Sequence, residues 1–279
     1  MPIKVLIVDD SATARAVIKI ALEKDSNIEV VGVAQDAFVA RDMIVKLRPD
    51  VICLDVEMPK MDGITFLHKI MTHLPTPVVM VSSLTKSGAK TTLDALALGA
   101  FDYVSKTHSN VYDGIALMEK ELIEKVKQAS KVNPLILQAR MKKTQNSSKP
   151  KVYSLSETTQ KIIIIGASTG GTVALQDLLC NLPKNFPGIV IVQHMPASFT
   201  NGFAKRLDSV CKLDVKEAED GDRVQTGQVL IARGSDHLEL TRSGGIYRVK
   251  YNNNDPVSGH KPSVDVLFRS VAKCAGKNA

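Results

Sequence analysis

Two side chains with complementary chemistry occupy matching places in the second half of this 279-residue sequence. Ser168 lies just past the apolar run Ile162-Ile163-Ile164-Ile165, inside Gly166-Ala167-Ser168-Thr169-Gly170-Gly171. His194 lies just past a second run, Ile189-Val190-Ile191-Val192. Loops leaving the carboxyl edge of a parallel sheet are where binding and reaction collect, so a hydroxyl and an imidazole there are a candidate nucleophile and base. The Gly166-x-Ser168-x-Gly170 spacing is that of a strand-to-helix turn exposing a serine. Two other readings stay open on spacing alone. The glycines could admit a nucleotide phosphate, although no Gly-Lys-Ser/Thr follows, and Ser168 could simply cap the next helix.

The first half carries a second constellation. Asp9 and Asp10 end one apolar run, Asp55 ends another, and Ser82 and Lys106 end two more. Three carboxylates crowded at one sheet edge repel one another unless a cation compensates. A hard divalent ion with oxygen ligands does so, which makes Mg²⁺ the expected cofactor. With a hydroxyl and an ammonium closing it, such a pocket is suited to holding a phosphoryl group on an aspartate.

The elements that must position these groups read clearly. Strands are expected at 3–8, 28–34, 51–54, 78–81 and 102–104. Helices are expected from Ser11 to 22, over 38–46, from Gly63 to 71, over 91–98, and from about 111. Five βα units in about 120 residues make a doubly wound α/β sheet. After a basic, polar stretch, a second α/β unit begins at Lys161. It has strands at 162–165 and 189–192, both expected to be buried on two faces. Helices follow from 172 and over 199–207, then strands at 213–216, 229–232, 238–240 and 245–250. A last helix runs to 274 and is capped by Ser263. The domains are thus 1–122, a linker over 123–160, and 161–279.

Composition narrows the class. The chain is 44% apolar and 23% charged, ordinary for a soluble protein. No apolar run is long enough to span a membrane, and the N-terminus starts a strand rather than a leader, so cytoplasm without membrane insertion is expected. Cys53, Cys180, Cys211 and Cys274 are scattered without metal-ligand spacing, as in a reducing compartment. Between Lys120 and Lys151, nine Lys/Arg face two Glu, which accounts for the whole formal excess of +7. The charge therefore belongs to the linker and calls for no nucleic-acid partner. A transcription regulator is disfavoured further because 161–279 holds no compact basic helix-turn-helix candidate. An oxidoreductase using the Gly166–Gly171 loop ranks last.

Val8-Asp9-Asp10-Ser11, the segment from Leu54 through Asp55 to Gly63, Ser82-Ser83 and Lys106 together resemble the receiver domain of bacterial two-component response regulators. That resemblance implies a flavodoxin-like fold with Asp55 as phosphoacceptor. It makes Asp10 a direct metal ligand, Asp9 its support and the Glu57 backbone carbonyl a further ligand. Ser82 would be the switch hydroxyl, Tyr103 the rotating aromatic and Lys106 the conserved lysine. The family usually has Pro after that lysine, and here it is Thr107, which makes the loop less fixed.

The second half resembles the chemotaxis protein-glutamate methylesterase family, also glutamine deamidases. The resemblance rests on Gly166-Ala167-Ser168-Thr169-Gly170-Gly171, Gln193-His194-Met195-Pro196 and Pro262-Ser263-Val264-Asp265-Val266-Leu267-Phe268. It implies an α/β sheet of serine-hydrolase type, with Ser168 as nucleophile, His194 as base and acid, and the Thr169 region serving the oxyanion. No cofactor is implied for ester hydrolysis. The implied partners are methyl-accepting chemotaxis receptors as substrate and a chemotaxis histidine kinase as phosphodonor. The family's third catalytic residue is an Asp in a Gly-rich motif beyond the last helix, and no Asp of this sequence matches it. The resemblance therefore implies a C-terminally truncated catalytic domain. Two functions follow as expectations: a phosphorylation-regulated hydrolase of receptor glutamyl esters and glutamines, or a non-catalytic signalling protein with a working receiver and a partner-binding second domain.

Overall fold

The structure, a computed structural model, describes residues 1–83, 86–106, 111–136 and 161–279. Thr107 and most of the basic stretch lie outside the described residues. The chain divides into two compact units, Met1–Ser147 and Ser148–Ala279.

In the first unit, β1 (Ile3–Val8), β2 (Ile28–Ala34), β3 (Val51–Asp55), β4 (Val78–Ser83) and β5 (Asp102–Lys106) form one parallel sheet in the order β2-β1-β3-β4-β5. The β-branched runs pack on both faces: Val5, Leu6, Ile7, Val51, Ile52, Leu54, Val78, Val79 and Met80 are all fully buried. Helices α1 (Ala12–Glu23), α2 (Ala37–Leu47), α3 (Gly63–His73), α4 (Lys86–Ala97) and α5 (Val111–Ala129) cover the sheet. Ser11, Asp36 and Asp62 each cap a helix by accepting from backbone amides of its first turn. The α5 side chains Leu122, Val126 and Ala129 are fully buried against Val81, Val104 and Leu22. Burying a leucine such as Leu122 stabilises the unit by about 2 kcal/mol. Helix α4 starts five residues before its sequence-predicted position. Its first turn, Lys86-Ser87-Gly88-Ala89, lacks an apolar period, and packing through Ala89, Leu93 and Leu96 decides the matter instead.

The second unit has a four-stranded parallel sheet. Its strands are β6 (Ile162–Ala167), β7 (Gly188–Gln193), β8 (Asp214–Glu217) and β9 (Gln228–Ile231), in the order β6-β7-β9-β8. Strands β10 (His237–Ser243) and β11 (Ile246–Asn252) add an antiparallel hairpin. Helices α6 (Gly171–Leu179), α7 (Ala197–Val210) and α8 (Val264–Cys274) complete it. Among the described residues β6 pairs with β7 alone, so it is an edge strand, and Ile163, Ile164 and Ile165 are only half-buried. This corrects the expectation of burial on both faces, which holds for β7. Ser263 precedes α8 as expected, but its hydroxyl makes no capping bond. Its amide N–H donates instead to Nδ1 of the fully buried His237 at 3.0 Å.

Candidate functional sites

Strand register brings the carboxylates together. Val8 pairs with Leu54, so Asp9 and Asp55 leave neighbouring strands at one level, and Val81 of β4 lies opposite Asp55. Ligand atoms of Asp9, Asp10 and Asp55 all lie within 4.8 Å of one another. Asp9 is fully buried, Asp55 is 5% exposed and Asp10 faces solvent. Lys106 from β5 lies 2.8 Å from Asp9 Oδ2 and 2.9 Å from Asp55 Oδ2. The Ser11 amide donates to Asp9 Oδ1 at 2.9 Å. Burial pushes the Asp55 carboxyl above its ordinary pKa and Asp9 adds to the rise, with Lys106 and the Glu57 amide opposing. Burial also works against the Lys106 ammonium. Its hydrogen bonds and charge pairing with Asp9 and Asp55 outweigh that, so its pKa is raised. A site that buries two carboxylates beside a third exposed one, with oxygen donors only, suits a hard cation, and Mg²⁺ fits the donor set.

The remaining residues flagged in the first unit lie around this cluster. Ser82 is buried at the end of β4, where its hydroxyl accepts a hydrogen bond from Thr92 of α4 at 2.7 Å. Tyr103 is buried, and the Lys125 ammonium lies 4.9 Å from its ring centroid. Burial, with Asp102 and Glu121 nearby, raises the Tyr103 hydroxyl well above its usual pKa. Glu57 stands exposed in the loop after β3. That loop allows no alternative at Gly63, where an added methyl would lie 2.0 Å from the Asp55 carbonyl oxygen. Sequence reasoning missed Arg15, whose Nη1 donates to the Asp9 and Asp10 carbonyls at 2.7 and 3.0 Å. Its place one helical turn beyond Ser11 was the available signal.

In the second unit Ala167 pairs with Gln193, so the turns after β6 and β7 lie side by side. His194 Nδ1 lies 3.3 Å from Ser168 Oγ. Ser168 is exposed, and Thr169 beside it is half-buried. Gly170, at φ 72°, is the residue that caps α6, with no side-chain capping bond, so the helix-cap reading of Ser168 fails. Gln193 ties the two turns together: its amide Nε2 donates to the Ser168 carbonyl at 3.0 Å and the His194 carbonyl at 3.2 Å. His260 stacks on His194 with ring centroids 3.9 Å apart and planes inclined by 16°. Desolvation by burial, then the charge of His260, pushes the His194 pKa down to about 4, so the ring is a neutral acceptor at pH 7. Its Nε2 is buried, with no hydrogen-bond partner among the described residues. Sequence reasoning quoted Gln193 inside a motif without giving it a task and did not single out His260. Polar residues flanking the strand end and the Pro262 turn were the only hint.

Comparison with known proteins locates both halves. Residues 5–112 match the response regulator receiver domain, and residues 163–279 match the family described as CheB methylesterase. The chain is 60% identical over 282 residues to the protein-glutamate methylesterase/protein-glutamine glutaminase of Sulfurimonas denitrificans, covering 100% of this chain and 80% of that protein. It is 48% identical over 278 residues to protein-glutamate methylesterase/protein-glutamine glutaminase 2 of Pseudomonas aeruginosa, covering 100% and 78% respectively. The crystal structure of the response regulator domain of Thermotoga maritima CheB is 43% identical, with a TM-score of 0.44, over 48% of this chain and 100% of that one. No helix among the described residues is long and apolar enough to cross a membrane.

Proposed function

Because this chain belongs to the protein-glutamate methylesterase/protein-glutamine glutaminase family, we propose that its 279 residues act as a phosphorylation-dependent signalling protein in chemotaxis. The receiver over 1–122 is the working part, and the domain over 161–279, joined through 123–160, binds receptor segments as a partner without catalysing their hydrolysis. The observation that carries this reading is the difference between the two sites. Lys106 pairs with both Asp9 and Asp55, whereas His194 Nε2 is buried without an acceptor among the described residues.

In the receiver, Asp55 is the acceptor, its carboxylate oxygen attacking the phosphorus carried by a histidine of a chemotaxis histidine kinase while the P–N bond breaks and the imidazole leaves. Asp9, Asp10, Asp55 and the Glu57 carbonyl are the proposed ligands of Mg²⁺, which when bound neutralises charge on the carboxylates and phosphoryl oxygens. Lys106 offsets the remaining charge, the Ser82 hydroxyl engages the phosphoryl group, and Tyr103 reports the change. Phosphorylation of Asp55 by a small-molecule phosphodonor is expected to require Mg²⁺. Label incorporated into Asp55→Asn at the unsubstituted level would overturn the assignment.

The 3.3 Å contact between Ser168 and a neutral His194 favours a second reading, full hydrolysis. Ser168 would attack the glutamyl ester carbonyl while His194 takes its proton and backbone around Thr169 faces the oxyanion. Methanol would leave, or ammonia from glutamine, and water would release the receptor carboxylate. His194 Nε2 has no acceptor among the described residues, and in a serine triad an imidazole not held in its tautomer costs on the order of 10⁴ in turnover. Methanol release from methylated receptor should therefore be slow and change little on Ser168→Ala. A fast rate abolished by Ser168→Ala would establish the hydrolase reading instead.

A further inference from the structure

Cys180 and Cys211 are 31 positions apart, and no sequence spacing links them. Folding makes each the residue that ends a helix, Cys180 after α6 and Cys211 after α7. Their sulfurs lie 3.4 Å apart. Both are free thiols of intermediate exposure, open to a small solute. The Ser168 and His194 turns precede the first residues of the same two helices, so the thiols stand at the far ends, outside the site already described.

The other two cysteines behave differently. Cys53 is buried in the first unit, where desolvation pushes its thiol up to about 12. The Cys274 thiol donates to the Leu240 carbonyl at 3.3 Å. In the close pair, the hydrogen bond between the two sulfurs, in which either can donate, lowers the Cys180 pKa against burial and the charge of Asp177, while the Cys180 thiol also donates to the Val210 carbonyl at 3.7 Å. The same bond, with burial, raises Cys211. The two thiols are thus unequal, Cys180 being the easier of the pair to deprotonate. The one group of three potential metal-binding side chains among the described residues is Asp9, Asp10 and Asp55, so the thiols lack the further ligands a metal would need.

We propose that Cys180 and Cys211 form a peroxide-reactive dithiol site that closes to a disulfide joining the C-terminal ends of α6 and α7. The Cys180 thiolate attacks one oxygen of hydrogen peroxide. The O–O bond breaks, and the departing hydroxide takes up from solvent the proton that Cys180 released on ionising and leaves as water. Cys180 is then a sulfenic acid. The Cys211 sulfur attacks it, the S–O bond breaks, and the hydroxyl leaves as a second water with the Cys211 proton. Two thiols and one peroxide become one disulfide and two waters. Shortening the contact to about 2.05 Å asks each sulfur to move by about 0.7 Å.

The test exposes the full chain to hydrogen peroxide and then blocks remaining thiols under denaturing conditions. Before blocking, intact mass should fall by two hydrogens and return with dithiothreitol, and the melting temperature of the oxidised second unit should rise by about 5 °C or more. Peptide mapping of the unsubstituted protein should join the Cys180 peptide to the Cys211 peptide, a result independent of whether any variant folds. Cys211→Ser should instead leave a dimedone-reactive sulfenic acid at Cys180. Four alkylatable thiols surviving a peroxide dose that fully oxidises glutathione would overturn the proposal, as would a cross-link mapping to Cys53 or Cys274.

Discussion

Past β1, β3 and β5 the charged groups are one another's partners, with Lys106 spanning Asp9 and Asp55 and the Ser11 amide on the remaining Asp9 oxygen. Past β6 and β7 the arrangement is equally well placed but not closed. Ser168 meets His194 on one ring nitrogen, and the other nitrogen is buried without a partner among the described residues. Both sites use the same device, neighbouring parallel strands ending at one level, so backbone topology does not separate them. Electrostatic closure does. A buried carboxylate pair must be balanced from within to fold, whereas a neutral imidazole can be positioned first and completed afterwards.

Removing the balance should have the largest effect. Lys106→Met leaves Asp9 and Asp55 facing each other in a buried pocket and should destabilise the first unit by about 3 kcal/mol. Chemical denaturation checks this, and added Mg²⁺ should return part of the loss. Unchanged stability without the ion would break the claim that the receiver site is internally balanced. Gln193→Ala should cost less, about 1–2 kcal/mol, because it removes two hydrogen bonds holding the Ser168 and His194 turns but also an amide oxygen that has no partner among the described residues. A loss as large as that of Lys106→Met would mean the second site is closed after all.

The smallest effect sharpens the comparison through pH. His194 has its folded pKa below the ordinary 6.5, at about 4, from burial first and His260 second. Between those values the unfolded chain binds a proton that the folded one does not. The contribution to stability is therefore whole above about 6.5 and is lost as the pH falls through about 4. A proton NMR titration of the ring should show a midpoint near 4. His260→Ala should move it upward without reaching the ordinary value, since burial remains. A midpoint already at the ordinary value in the unsubstituted protein would remove the neutral base from the argument.

Much of this was legible in the sequence because the signals are local. The β-branched runs at Ile3–Val8 and Ile28–Ala34 are strands at those limits, and acidic residues directly after such runs meet once the strands align in register. What escaped depends on partners distant in the chain. Nothing beside Ile163–Ile165 says that, among the described residues, β6 has one neighbour and β7 two. Nothing in 86–90 shows where α4 starts, since tertiary packing places it. The Ser263 position reads as a cap by type, yet its amide serves His237, 26 residues earlier. Cys180 and Cys211, or His194 and His260, are pairs only because helix lengths and turns bring them to one place.

The Gln193 amide has a consequence for motion. One side chain holds the carbonyls of both Ser168 and His194, so a fluctuation that opens either turn must break a bond to the same NH₂ group. The two turns are thereby coupled in time as well as in space. Relaxation dispersion on their backbone amides should return a single exchange rate in the microsecond-to-millisecond range, and Gln193→Ala should split it into two.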